Sequence, residues 1–201
     1  MADQRRLGER GWTKGAMIQQ TAVKSQRAGA PQLYTLQVFL IGGPITKAFA
    51  GKEISRTIQI RGDQTLQTLH QAIFQAFDRF EEHFYEFQIG GKGPHDPKAQ
   101  RYVLSGAFEV EREERGAGPA GVVTQTTVGS LGLKVGQAFG YWFDFGDDWW
   151  HQINVIARGK PGRGGRYPKV IKRVGESLPQ YAEWDEDAEK ASGRVTRSGE
   201  A

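Results

Sequence analysis

The sequence predicts an α+β fold, a single domain with an antiparallel sheet and helices packed on one face. Three observations carry that expectation. Several segments alternate apolar and polar residues with a period of two, which marks half-buried strands. Leu66, Leu69, His70, Ile73 and Phe77 fall at i, i+3, i+4, i+7 and i+11, one face of a helix. Seven of the twelve residues from Phe139 to Trp150 are aromatic, and apolar surface at that density needs a core or a partner to cover it.

Residues 1–31 are polar and without sustained periodicity, so they are expected to form a disordered basic tail. Tyr34, Leu36, Val38 and Leu40 alternate with Thr35, Gln37 and Phe39 as a first strand, which Gly42-Gly43-Pro44 ends. Ile54, Ile58 and Ile60 mark a second. Arg56 shares their parity and is expected to snorkel at an edge or to meet a carboxylate. Gly62-Asp63 turns into the helix, which Asp63 or Thr65 can cap by accepting a backbone N–H bond. Phe84, Tyr85, Phe87 and Ile89 give a third strand, ended by Gly90-Gly91. Residues 92–100 read as loop, Tyr102 to Glu111 as a short strand or irregular crossing, and Glu109 to Gly121 as an exposed, mobile loop. Thr127 to Gly136 is a turn or short helical segment.

The aromatic segment reads as a hairpin. Phe139, Tyr141, Phe143 and Phe145 share one face, and Trp149, His151, Ile153 and Val155 share one face after the turn. A three-residue loop, Gly146-Asp147-Asp148, would oppose Phe145 to Trp149, Phe143 to His151, Tyr141 to Ile153 and Phe139 to Val155, burying one consistent apolar face. In that register His151 faces the core and Asp144 the other side, so the two meet only if the hairpin bulges. Trp142 and Trp150 fall on the face opposite the helix, an aromatic surface that the following arm, a base, a peptide or a sugar could cover.

After the hairpin, residues 158–174 hold seven Lys or Arg and no acid, while Pro161, Pro168 and four glycines forbid a regular helix. This is an extended basic arm. The domain is expected to span 32–181, with the arm as its part 158–181, and residues 182–201 to be a disordered C-terminal tail.

The formal net charge is +4 over 201 residues, but it is unevenly placed. Residues 31–157 carry 11 Lys and Arg against 14 Asp and Glu, a net of −3; residues 1–30 carry 6 against 2, and residues 158–201 carry 10 against 7. The ends are basic and the middle is acidic, which directs any polyanion to the ends. There is no cysteine, which excludes disulfides, thiol nucleophiles and cysteine zinc sites. With no hydrophobic signal core and no run of 18 apolar residues, the expected setting is cytoplasmic, without a membrane partner.

Read together, the segments resemble the plasmid pRiA4b ORF-three-like family. The resemblance rests on Tyr34-Thr35-Leu36-Gln37-Val38, on Thr65-Leu66 with Leu69-His70, and on Phe77 with His83-Phe84-Tyr85-Glu86-Phe87. It continues through Phe139 and Tyr141 to Phe143-Asp144-Phe145-Gly146-Asp147, then Trp149 or Trp150 with His151, and Tyr167-Pro168. It covers Tyr34 to Tyr181. It implies a small α+β domain of plasmid and transposon surroundings, and no particular reaction. The chain departs from the family pattern between Pro44-Ile45 and Arg56, which looks lengthened. It departs again after Tyr167-Pro168, where many relatives have a cysteine and a Pro-Pro-Glu-Asp segment; any activity tied to that segment would be absent here.

Two functional readings follow. The first is a non-catalytic binding or accessory module of mobile-element origin, with nucleic acid as the partner. Arg158, Lys160, Arg163, Arg166, Lys169, Lys172 and Arg173 would meet phosphates, and Trp142 and Trp150 would offer aromatic surface. The second is a metal-dependent hydrolase or nuclease. His70, His151, Asp144 and Asp147 are its candidate ligands and catalytic groups, since two imidazoles and one or two carboxylates suit zinc, manganese or iron; His83 follows the helix nearby. No HExxH-like spacing supports the second reading, and no motif names a cofactor. The Asp-Phe-Gly triplet at 144–146 also occurs in protein kinases, but the chain lacks the other kinase elements. The bland alternatives are buried neutral histidines bonded to backbone carbonyls and turn-closing aspartates.

Overall fold

A computed structural model describes residues 32–47, 49–107 and 118–181. The expected disordered tails, and most of the loop expected over 109–121, lie outside the described residues. Eight strands form one sheet: β1 (Leu33–Gly42), β2 (Ser55–Arg61), β3 (Tyr85–Ile89), β4 (Gln100–Val103), β5 (Gly121–Val122), β6 (Ala138–Phe143), β7 (Trp149–Gly159) and β8 (Lys169–Val174). Their order is β5-β4-β3-β6-β7-β1-β2-β8. Every pairing is antiparallel except β4 with β5. The sheet is therefore mixed and mostly antiparallel, and the molecule is richer in sheet than expected. The helix α1 (Leu66–Ala76) lies on its apolar face, with a 3-10 turn at Val128–Leu131.

The helix forms where the stripe predicts. Thr65 caps it, its hydroxyl accepting from the Thr68 N–H. Leu66, Leu69, His70, Ile73 and the C-cap residue Phe77 are all buried. They meet the alternating inward residues of the central strands, Tyr34, Leu36 and Val38 of β1, Phe139, Tyr141 and Phe143 of β6, and Trp149, Ile153 and Val155 of β7. Phe84 lies just before β3 and is 63% exposed, so the third strand starts one residue later than the apolar run.

The far end of the helix is closed by arginines. Arg56 neither snorkels nor meets a carboxylate. It is fully buried, and its guanidinium donates to the carbonyls of Ala76, Ser55, Val174 and Gly175 and to the Ser177 hydroxyl. Arg173 also donates to Ala76 O. Helix C-termini leave carbonyls unpaired and carry partial negative charge, and cations satisfy both needs.

The hairpin keeps its expected face but not its expected register. Phe143 pairs with Trp149, Tyr141 with His151 and Phe139 with Ile153. The shift is two residues, which preserves the period-two pattern and lengthens the loop to Asp144–Asp148. Local turn chemistry drives it. Asp144 and Asp148 adopt positive φ, 54° and 58°, and the Asp144 carboxylate accepts from the N–H groups of Gly146 and Asp147. Asp148 N–H donates to Asp144 O. Phe145 leaves the strand and stacks on Trp142 at 4.1 Å between centroids. Where β1 ends, Gly43 at φ 129° passes so close to Trp149 that a Cβ would lie 2.4 Å from the indole.

The basic arm is not a strap over the tryptophans. Its second half is β8, an edge strand hydrogen-bonded to β2, while Trp142 and Trp150 lie on β6 and β7. Extended geometry also separates the two ends of β7: eight residues divide Trp150 from Arg158, roughly 27 Å.

Candidate functional site

The sequence candidates are distributed over four places. On the helix side, His70 and His151 flank Tyr141, with ring centroids 5.9 and 5.2 Å from it. His70 is held by side chains and not by the expected backbone carbonyls. Its Nε2 lies 3.0 Å from Glu82 Oε2 and its Nδ1 2.7 Å from the Tyr141 hydroxyl. A carboxylate only accepts, so Nε2–H donates to Glu82 and the Tyr141 O–H donates to Nδ1. Tyr85 stacks on the ring at 3.6 Å. Burial holds the His70 pKa below its ordinary value against the opposing pull of Glu82, so the ring is neutral at pH 7.

His151 is sealed between Phe77 and Tyr141, and neither ring nitrogen has a hydrogen-bond partner. Burial drives its pKa down to about 3, with Arg79 adding to the shift and backbone groups of Tyr141 and Trp149 opposing it. Because the folded value is depressed, this histidine contributes stability above its unfolded pKa near 6.5. That stability is lost as pH falls from there toward about 3. The expected loss at pH 5 is about 2 kcal/mol from this group alone. A His151→Phe variant, which leaves no unpaired nitrogen, should lose less of its melting temperature between pH 7 and pH 5 than wild type, with His70 accounting for part of the loss that remains. Parallel melting curves for wild type at the two pH values would show that His151 is solvated.

At the hairpin tip, Asp144 is buried and spans the loop. Besides its turn bonds, its Oδ2 lies 3.5 Å from His83 Nε2. His83 Nε2 also lies 2.9 Å from the Tyr181 hydroxyl, which in turn donates to Glu81. Arg79 is buried with its guanidinium 3.7 Å over Trp149 and one bond to Leu178 O. Burial lowers its pKa to about 10, while Tyr141, Asp144, Asp147 and Asp78 favour the charged form, so it remains a cation that balances the tip. Asp144 and Asp147 thus serve the turn and Arg79, not His70 or His151. Among the described residues no group of three or more His, Asp or Glu side chains is placed to hold a metal ion. The donor set His70, His151, Asp144 and Asp147 therefore does not converge.

On the opposite face, Trp142 and Trp150 stack on one another, with centroids 5.2 Å apart. They are covered, but by a different element than the arm. His95, from the loop after β3, stands edge-on to both rings at 4.5 and 4.8 Å, and Phe145 covers Trp142. Trp150 is only 4% exposed and donates its indole N–H to Asp148. The pair is packed and offers no open face to a base.

The basic residues form the fourth place. Arg158 ends β7, Lys160, Arg163 and Arg166 lie in the link, and Lys169, Lys172 and Arg173 lie on β8; all seven are exposed. The link is fastened: Gln64 donates to Tyr167 O, and Gly162 N–H donates to the Tyr167 hydroxyl. Gly165 passes under the Tyr167 ring, where a Cβ would lie 2.7 Å away. Arg158 donates to the Gln32 side chain. Arg173 is shared, because it also faces Ala76 O and Asp78.

A family model described as "Plasmid pRiA4b ORF-3-like protein" matches residues 45–182. The chain belongs to this family. The pRiA4b ORF-3-like match thus contains the helix, the hairpin and the whole ribbon. The chain is 27% identical over 115 residues to an uncharacterized protein, y4hQ, of Sinorhizobium fredii, a stretch covering 57% of this chain and 52% of that one. The aligned stretch thus spans about half of that relative. A crystal structure of a protein of unknown function from Methanosarcina mazei Go1, MM3350, superposes with a TM-score of 0.59 at 21% identity. It covers 76% of this chain and 75% of that one, a likeness in fold. Among the described residues, no helix of this pRiA4b ORF-3-like protein is long and apolar enough to cross a membrane.

Sequence reading missed Arg79 and the segment 175–181. The latter returns along the residues after α1, where Gln180 accepts from the N–H groups of Phe80 and Glu81. Neither carries a periodic signal, since both act through contacts with residues distant in the chain.

Proposed function

We propose that the protein is a non-catalytic nucleic-acid-binding module that grips phosphates along the ribbon from Arg158 to Lys172. The observation that carries this reading is the placement of seven exposed cations, with no acidic residue between 158 and 174, on one fastened ribbon. Residues 31–157 are net acidic, so a polyanion is repelled elsewhere and oriented onto the ribbon. Phosphate contacts of this kind position a protein without reading sequence. Packing of the tryptophans removes the stacking contribution, which leaves binding electrostatic and indifferent to base identity.

Fluorescence anisotropy with a labelled 20-base-pair duplex tests this. Arg163→Gln, Arg166→Gln, Lys169→Gln and Lys172→Gln together should weaken binding at least about tenfold in low salt. Arg173 is left in place because it also closes the helix. Equal affinity of variant and wild type would place the contacts elsewhere, and no binding by wild type at low salt would end the proposal.

A further inference from the structure

The solvent face of α1 is built from amides and carries no charge. Gln67, Gln71 and Gln75 fall at i, i+4 and i+8 and are exposed, and no Lys, Arg, Asp or Glu occurs from Leu66 to Ala76. A soluble helix ordinarily gains from charge pairs on that face. Among the described residues these three side-chain amides have no hydrogen-bond partner, so each offers both donors and an acceptor to solvent. The helix and the basic strand also form one surface. Gln64, just ahead of α1, donates to Tyr167 O, just ahead of β8, and Arg173 near the end of β8 donates to Ala76 O at the end of α1. The two elements are thus clamped side by side at both ends. Between them runs a groove of about 290 Å³, where Thr68, Gln71 and Gln75 of the helix face Lys169 and Arg173 of the strand over Ala72 and Ala76. The acids at the helix ends are engaged: Asp63 accepts from Arg61, and Asp78 accepts from Ser177 and lies 3.5 Å from Arg173. A row of uncharged amides therefore runs beside a row of cations.

We propose that the duplex gripped by the ribbon is double-stranded RNA, with α1 laid along its minor groove, an inference that rests on the phosphate-binding reading above. The minor groove of an A-form helix is wide and shallow and displays ribose 2′-hydroxyls, each a donor and an acceptor at once. A carboxamide matches that dual character. Lys and Arg only donate, and ionised Asp and Glu only accept. The amide row from Gln67 to Gln75 spans about 12 Å along the helix axis. It can meet successive hydroxyls while Lys169, Lys172 and the arginines of the link meet the phosphates that border the groove. Recognition of this kind follows the sugar and not the base, in keeping with a grip that ignores base identity. A DNA duplex offers the phosphates without the hydroxyls.

Anisotropy titrations of the full chain against labelled RNA and DNA duplexes of one sequence and length test this. Wild type should bind the RNA at least about tenfold more tightly, the gain expected from a few added hydrogen bonds. Gln67→Ala, Gln71→Ala and Gln75→Ala together raise helix propensity, so the fold should persist. In that variant the affinity for RNA should fall to that for DNA, and the affinity for DNA should stay as in wild type. A 2′-fluoro RNA duplex, which keeps A-form geometry but cannot donate from the 2′ position, should bind wild type more weakly than RNA does. Equal affinity of wild type for RNA and DNA, an equal loss on both when the glutamines are removed, or full affinity for the 2′-fluoro duplex would each overturn the proposal and leave the phosphate grip standing. Failure to bind either duplex in low salt would end both.

Discussion

Phe143→Ala should lower stability by about 3–5 kcal/mol, the largest loss expected from one truncation in the hairpin. Phe143 is buried on the helix side and pairs with Trp149 across the hairpin and Tyr85 on the neighbouring strand. Its ring meets Phe74 of the helix edge-on at 5.8 Å and His83 at 5.9 Å. The side chain thus ties together the helix, two strand pairings and the segment that carries His83, and no small neighbour can collapse into the space it leaves. Denaturant unfolding monitored by circular dichroism reads the loss. A change below 1 kcal/mol would mean that the ring faces solvent and that the observed register is wrong.

Arg56→Ala should cost a similar 3–5 kcal/mol, for a different reason. A buried guanidinium is costly in isolation, but here its donors satisfy four backbone carbonyls from β2, the helix end and the segment after β8. Removing it leaves buried acceptors unpaired, each with a desolvation cost of about 1–3 kcal/mol. Lys should not rescue, since an ammonium cannot span the same carbonyls. The signature beyond stability is local: amide exchange should accelerate at Ala76 and Val174 more than in β6. Uniform acceleration across the sheet would show that Arg56 acts only through global stability.

Much of the fold is legible in the sequence because periodicity encodes burial. The stripe from Leu66 to Phe77 and the alternation in β1, β6 and β7 describe surfaces that any register must bury, and those residues are buried. What periodicity leaves open is a shift by two, which keeps every residue on its face. The hairpin slipped by that amount because Asp144 and Asp148 take positive φ and pull Phe145 into the loop. Arg56 sits at an apolar parity, but two of its partners are carbonyls more than a hundred residues away in the chain, and no spacing rule points to them. The site was legible in part. Exposure of the basic residues follows from their composition, and burial of His70 follows from the stripe. That His70, His151 and the hairpin aspartates do not converge was set by the loop geometry.

The central claim, electrostatic grip along the β7–β8 ribbon, is tested most directly by the salt dependence of duplex binding. For wild type, log K should fall linearly with log salt, with a slope of about −0.9 for each phosphate neutralised. In the chain with Arg163, Arg166, Lys169 and Lys172 changed to Gln, the slope should flatten by roughly one unit for each cation that meets a phosphate. Identical slopes for the two proteins between 50 and about 200 mM salt would contradict the claim.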